Sequence, residues 1–266
     1  MNKSTIAAAL LLSLTSASAL AANDNNYHHE AQLDYNTSSE EFSDGDWDLN
    51  YRYYTESVDQ KTVPYALSGF LAQSSNIGGH FGFNNDEIDF RNYGFDGEYV
   101  FDSKWFINGK LNRADQDSAD QMTYGIGGGY YFNNTSKVYA NYQRLDVEHH
   151  GENTDVYTFG VKGYLPIPVT EGILLGTELN GYHYSTKGKT STNDFSMYAD
   201  WYITRAWSFG ANYEIKDKSG SDDGYSINTA YFWRLTDSIS AIAKVQKQFE
   251  PNQDGVSGTL AINGRF

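Results

Sequence analysis

Chemistry in a chain like this would start from its six histidines. The densest group is His149-His150 with Glu148, Glu152 and Asp155, residue types that ligate zinc or move protons. Adjacent histidines on an extended chain point apart, so a tight site there needs ligands from other loops; the expectation is a solvated loop tip. His28-His29, at the head of the first regular segment, reads the same way. A nucleophile, histidine and acid must share one face to work together. Only His183 falls inside an expected strand, at its outer end with no clear Ser or Asp partner, which suits an interface histidine. Gly125, Gly127, Gly128 and Gly129 are dense enough for a phosphate cradle but no helix follows them; they are expected to thin a wall or permit a kink. No catalytic, metal-binding or cofactor-binding residue is expected, and no enzyme.

The charged residues are more informative, because they fall on one side of alternating segments. Glu30, Asp34, Asp48, Asp96, Glu98, Glu178, Asp200 and Glu214 share that side with Arg52, Lys110, Lys162, Lys216, Arg234, Lys244 and Arg265. Amides such as Asn108, Asn141, Gln143, Asn212 and Gln246 fill the rows between them. Nearly balanced charge of this kind lines a wet channel, since burying it dry is costly unless every group is paired. Cross-strand ion pairs bracing the wall are the structural reading of the same pattern. The chain's net charge of -15 therefore sits mainly in the links between segments, including Glu40, Glu41, Asp44, Asp86, Glu87, Asp117, Asp222 and Asp254. Acidic mouths gather cations. The same charge argues against a nucleic-acid partner.

The elements that must hold these rows are strands. Fourteen segments of about ten to fifteen residues alternate in character, with no long helical period. In the last of them, Val256, Gly258, Leu260, Ile262 and Gly264 face one way and Ser257, Thr259, Ala261, Asn263 and Arg265 the other, and the chain stops on Phe266. A terminal strand with one dry and one wet face closes outer-membrane barrels. Short links at 101–104, 203–206 and 235–238 alternate with long acidic ones at 37–46, 72–86, 112–121, 147–154, 185–193 and 216–224. That is the contrast between periplasmic turns and extracellular loops. Trp105, Trp201, Trp207 and Trp233 all lie beside short links, as an interfacial girdle requires. With 22 Tyr, 15 Phe and no Cys, the composition suits aromatic belts and closed hydrogen bonding better than a disulfide scaffold. Lys3, the apolar run Ile6 to Leu14 and Ala19-Leu20-Ala21 make residues 1–21 a secretory signal, leaving 22–266 as the barrel. The mature chain then has 18 basic and 34 acidic residues, since only Lys3 is lost. No stretch reaches the roughly 18 apolar residues of a transmembrane helix.

The expected fold is thus all-β: a transmembrane antiparallel up-and-down barrel of about fourteen strands, with twelve and sixteen as the neighbouring even counts. The third strand is expected near 63–73. A fourth, at 86–100, changes phase between Phe90 and Tyr93, which suggests a bulge. In PYALSGFLAQSSNI (64–77) and DWDLNYRYYTESVDQ (46–60), the chain resembles a porin family of marine gammaproteobacteria, most specifically over about 27–77 and in layout over the whole mature chain. The resemblance implies an outer-membrane porin of a Gram-negative bacterium and no particular substrate. The reading is a passive, narrow, weakly cation-preferring channel for small hydrophilic solutes and ions. The alternative is a structural or adhesive barrel with a closed lumen and ligand-binding loops. Expected partners are outer-membrane lipid and, through the Phe266 strand, the barrel-assembly machinery. Residues 74–85 hold Ile77, Phe81 and Phe83 in an expected extracellular link, and the expectation is that they fold inward as a constriction; a strand extension is the competing reading.

Overall fold

Alternation with period two decides everything in this chain, because it gives each strand an apolar row and a polar row. The computed structural model describes residues 26–40, 42–84, 91–115, 120–148, 152–185, 191–217, 223–251 and 253–266. Fourteen strands follow in order: β1 (Asn26–Ser38), β2 (Asp46–Asp59), β3 (Asn76–Phe83), β4 (Arg91–Val100), β5 (Trp105–Asp115), β6 (Gln121–Asn133) and β7 (Ser136–Val147). Then come β8 (Glu152–Leu165), β9 (Gly172–Tyr184), β10 (Thr192–Tyr202), β11 (Trp207–Lys216), β12 (Gly224–Arg234), β13 (Ile239–Glu250) and β14 (Ser257–Arg265). Each pairs antiparallel with its chain neighbours, and β14 returns to β1 to close the barrel.

The rows are inverted relative to a soluble sheet. In β12, Tyr225, Ile227, Tyr231 and Trp233 are exposed on the outside, while Ser226, Asn228 and Phe232 are buried inside. Ile126, Phe209 and Leu260 continue the outer apolar surface on their own strands. A wall that is apolar outside and polar inside is stable only with lipid around it and water within. Closure removes the sheet edges that lipid could not satisfy. At the seam, the pairs run from Glu30↔Arg265 to Ser38↔Ser257. The backbone of His29 exchanges hydrogen bonds with that of Phe266 at 2.7 and 3.0 Å. The Phe266 ring stacks on His29 at 5.4 Å.

An even strand number brings the start of β1 and the end of β14 to one rim. The short turns gather there with Trp105, Trp201, Trp207 and Trp233. The Trp201 and Trp207 indoles donate to Thr170 and Thr229 at 3.1 and 2.9 Å, which satisfies their only polar group.

Two sequence expectations are corrected here. Residues 63–73 are not a strand: Tyr65–Leu67 form a 3-10 turn and Ser68–Ala72 a short helix, α1. Leu67, Phe70 and Leu71 are spaced for one side of a helix, and Gln73 ends it in the left-handed region at φ 50°. The third strand instead uses 76–83. Ile77, Phe81 and Phe83 therefore form no constriction: they occupy the outward row of β3, with Ile77 and Phe81 exposed to the outside. Their alternation with Gly78, His80 and Gly82 makes a strand with one apolar face, and that outranks the loop-like glycine content. The strand count survives because one strand moves along the chain without any being lost. Residues 85–90 lie outside the described residues, and from Arg91 onward β4 pairs with β3 and β5 without a bulge. Among the described residues, register shifts fall at Tyr27/His29, Tyr131/Asn133 and Tyr225/Ser226.

Candidate pore and its plug

The inward rows hold the charged residues singled out by sequence, about half of them in ion pairs. Glu30 on β1 accepts from Arg265 Nε at 2.8 Å, from Asn263 at 3.0 Å and from Tyr54 at 3.2 Å. Arg52 on β2 reaches over β3 to grip both oxygens of Asp96 on β4 at 3.0 and 2.7 Å. It can do so because Gly78 lies beneath, where an added Cβ would stand 2.9 Å from the guanidinium. Glu98 accepts from Tyr131 at 2.8 Å and from Lys137 at 3.2 Å. Glu178 accepts from Tyr139 at 2.5 Å. Glu214 and Lys216 pair along β11 at 3.3 Å.

The remaining candidates are held by neutral groups or stand open. Asp34 and Asp48 face each other in register but are separately satisfied, Asp34 by Gln32 and Asn50 and Asp48 by Asn36. Asp200 lies over Gly210 beside Asn228. Arg234 caps the Tyr65 ring at 5.2 Å, and Lys162 sits 4.6 Å from the centre of the Phe70 ring. Lys110 and Lys244 are on the inward rows of β5 and β13. Lys137, Tyr131 and Tyr139 belong to the same polar wall and were missed by sequence reasoning, although Lys137 shares the row of Asn141 and Gln143.

What sequence reasoning did not place is the connection 60–75, which turns back from the rim bearing the termini into the lumen. Its apolar side is fixed on one part of the wall: Leu67 is buried with Tyr164, Leu174 and Tyr202, and Phe70, Leu71 and Tyr198 pack around them. Burying a leucine of this kind contributes about 1.5–3 kcal/mol. Its polar groups are fixed on others. Ser68 and Tyr27 hydrogen-bond at 2.9 Å, Arg265 donates to the Tyr65 carbonyl at 3.0 Å, and the Tyr65 N–H donates to the Arg205 carbonyl at 3.0 Å. Gln73 donates to the Asn133 carbonyl at 2.8 Å and accepts from Lys104 at 3.1 Å. Contacts from β1 round to β12 make this segment a plug lying across one end of the barrel. Above it opens a cavity of about 1090 Å³ whose floor includes Ala66, Gly69 and Phe70.

No group of three or more His, Cys, Asp and Glu side chains that could hold a metal ion occurs among the described residues. His28 bonds the Tyr54 carbonyl at 3.0 Å, and His29 the Tyr51 hydroxyl at 2.7 Å. His183 does have a serine partner, Ser191 at 3.0 Å, on an exposed rim. His80, expected in a loop, is in β3 and bonds Asn112 inside the lumen at 2.7 Å. His149 and His150 lie outside the described residues, as does the expected leader at 1–21.

A closed fourteen-stranded barrel with a charged, polar interior and an apolar exterior defines the class: a transmembrane β-barrel of porin type. The chain belongs to the family described as "Putative general bacterial porin", whose model matches residues 1–173. Membership implies an outer-membrane location and points to a channel rather than an enzyme. The fold is similar to that of the Acinetobacter baumannii outer membrane protein Omp33, with 20% identity over 91% of this chain and 99% of that one and a TM-score of 0.60. It is also similar to a bacterial polysaccharide outer membrane secretin, with 13% identity over 90% of this chain and 99% of that one and a TM-score of 0.60. The comparison with curated proteins finds no match.

Proposed function

We propose that the protein is a passive, water-filled channel for small hydrophilic solutes and ions, narrowed at its periplasmic end by the plug at 60–75. The observation that carries this reading is the polar inward row that lines a cavity of about 1090 Å³ above the plug. Charged walls of this density are tolerable when water completes their solvation. A weak cation preference belongs to the mouth, where the long loops carry Glu40, Asp44, Asp223 and Asp254. Residues 1–21 act as a cleaved export signal, the barrel's outer row meets outer-membrane lipid, and the Phe266 strand is the part presented to the assembly machinery.

A second reading, a structural or adhesive barrel with a closed lumen, is favoured by one observation: the plug is tied to widely separated strands. Planar-bilayer recording separates the two. The channel reading expects discrete conductance steps and a small reversal potential of cationic sign in a salt gradient. That potential should shrink as salt rises, because exposed charge is screened within about 8–10 Å at ordinary ionic strength. Silence from well-folded protein favours the closed barrel, and an anionic reversal potential rejects the cation preference.

A further inference from the structure

The wall of the cavity has the opposite charge balance to the chain. Arg52, Lys110, Lys137, Lys162, Arg205 and Arg265 face it against Glu30, Asp96 and Glu98, six bases to three acids among the described residues, in a chain of net charge -15. Pairing consumes the acids. Arg52 takes Asp96 at 2.7 Å, Lys137 takes Glu98 at 3.2 Å and Arg265 takes Glu30 at 2.8 Å. Arg205 lies 3.9 Å from Glu171, outside the cavity lining. Lys110 and Lys162 are left with no acid in ion-pair range among the described residues; the register partner of Lys110 is Asp96, already held by Arg52.

Lys110 also lies against the bare backbone of β6. β6 presents Gly125 and Gly127 inward, so it contributes no side chains there, and the neighbouring strands lean over the gap. A Cβ on Gly125 would meet Gln143 at 3.0 Å and Lys110 at 3.3 Å, and one on Gly127 would collide with Asn141 and stand 2.8 Å from Asn108 Oδ1. The result is a cluster of one ammonium group and three carboxamides that covers this stretch of β6, all lining the same cavity. An ammonium suits a carboxylate through charge-assisted hydrogen bonds, and carboxamides both donate to and accept from hydroxyls.

We infer that this cluster on the cavity wall binds a small polyhydroxylated carboxylate, with its carboxylate on Lys110 and its hydroxyls on Asn108, Asn141 and Gln143. Lys162 adds to the positive field of the same chamber. The inference rests on the proposed water-filled lumen but not on conduction. The acidic mouth gathers cations, while the chamber beneath it holds anions.

The test is titration calorimetry on the detergent-solubilised full-length protein at low salt, with gluconate as probe and sorbitol as its uncharged counterpart. Gluconate should bind, sorbitol at least about tenfold more weakly, and Lys110→Gln should weaken gluconate by about tenfold, the scale of one charge-assisted hydrogen bond. Lys110→Arg should retain most of the affinity, and Lys162→Gln should give a smaller loss. Heat-modifiable gel mobility establishes that each variant is a folded barrel. No gluconate binding to the wild type, equal binding of gluconate and sorbitol, or full affinity in folded Lys110→Gln overturns the site. Binding by a protein that is silent in bilayers upholds the site and rejects the channel.

Discussion

Arg265, the penultimate residue, joins barrel closure to plug docking. It is almost wholly buried, 6% exposed, and it donates both to Glu30 across the β1–β14 seam and to the Tyr65 carbonyl of the plug. Removing one member of a buried ion pair strands the other without compensation, at a cost of about 3–5 kcal/mol. Arg265→Ala and Glu30→Gln are each expected to lower the midpoint of heat-induced mobility change and to make channel current noisier as the plug loosens. Arg265→Met combined with Glu30→Leu should recover much of the thermal stability while the current noise remains, because the Tyr65 anchor is still lost. A quiet double variant would mean that Arg265 does not hold the plug. The sequence already placed Glu30 and Arg265 on the inward rows of the first and last strands. Their link to Tyr65 was illegible, because it joins residues 200 positions apart through a connection whose path no local pattern reveals.

At the scale of elements, β3 and the plug show what local pattern can and cannot carry. Thirteen strands were legible because their period-two alternation extends over nine or more residues. β3 has only eight residues and three of them are glycine, so it reads as a loop, and its neighbour 64–72 has enough apolar content to read as a strand. The helical spacing of Leu67, Phe70 and Leu71 was a usable signal. What hides it is that a helix of five residues draws its stability from the lumen wall around it, which no sequence window contains. The glycines of β3 have a tertiary reason too, since Gly78 gives Arg52 its passage to Asp96. An outward Phe81 predicts a specific cost. Phe81→Arg places a cation on the lipid face and should destabilise the barrel by up to about 2–4 kcal/mol, measured by reversible denaturation in lipid vesicles, with conductance per assembled channel unchanged. A stable Phe81→Arg barrel with altered conductance would put residue 81 back in the lumen.

For the molecule as a whole, strand number sets the bore and the plug occupies one end of it. A fourteen-stranded wall is wider than the small barrels that side chains fill and narrower than sixteen-stranded porins. The 60–75 connection lies across one end of that wall, and the proposed channel would be governed by the rim with the short turns, not by the rim with the long loops. The decisive measurement is single-channel recording in planar bilayers of the full-length protein beside a variant whose residues 62–73 are replaced by a short Gly/Ser link. A conductance several times larger in the variant, with the same sign of ion preference, is the predicted result. Equal conductance in the two, from barrels of equal thermal stability, would contradict a channel narrowed by its plug.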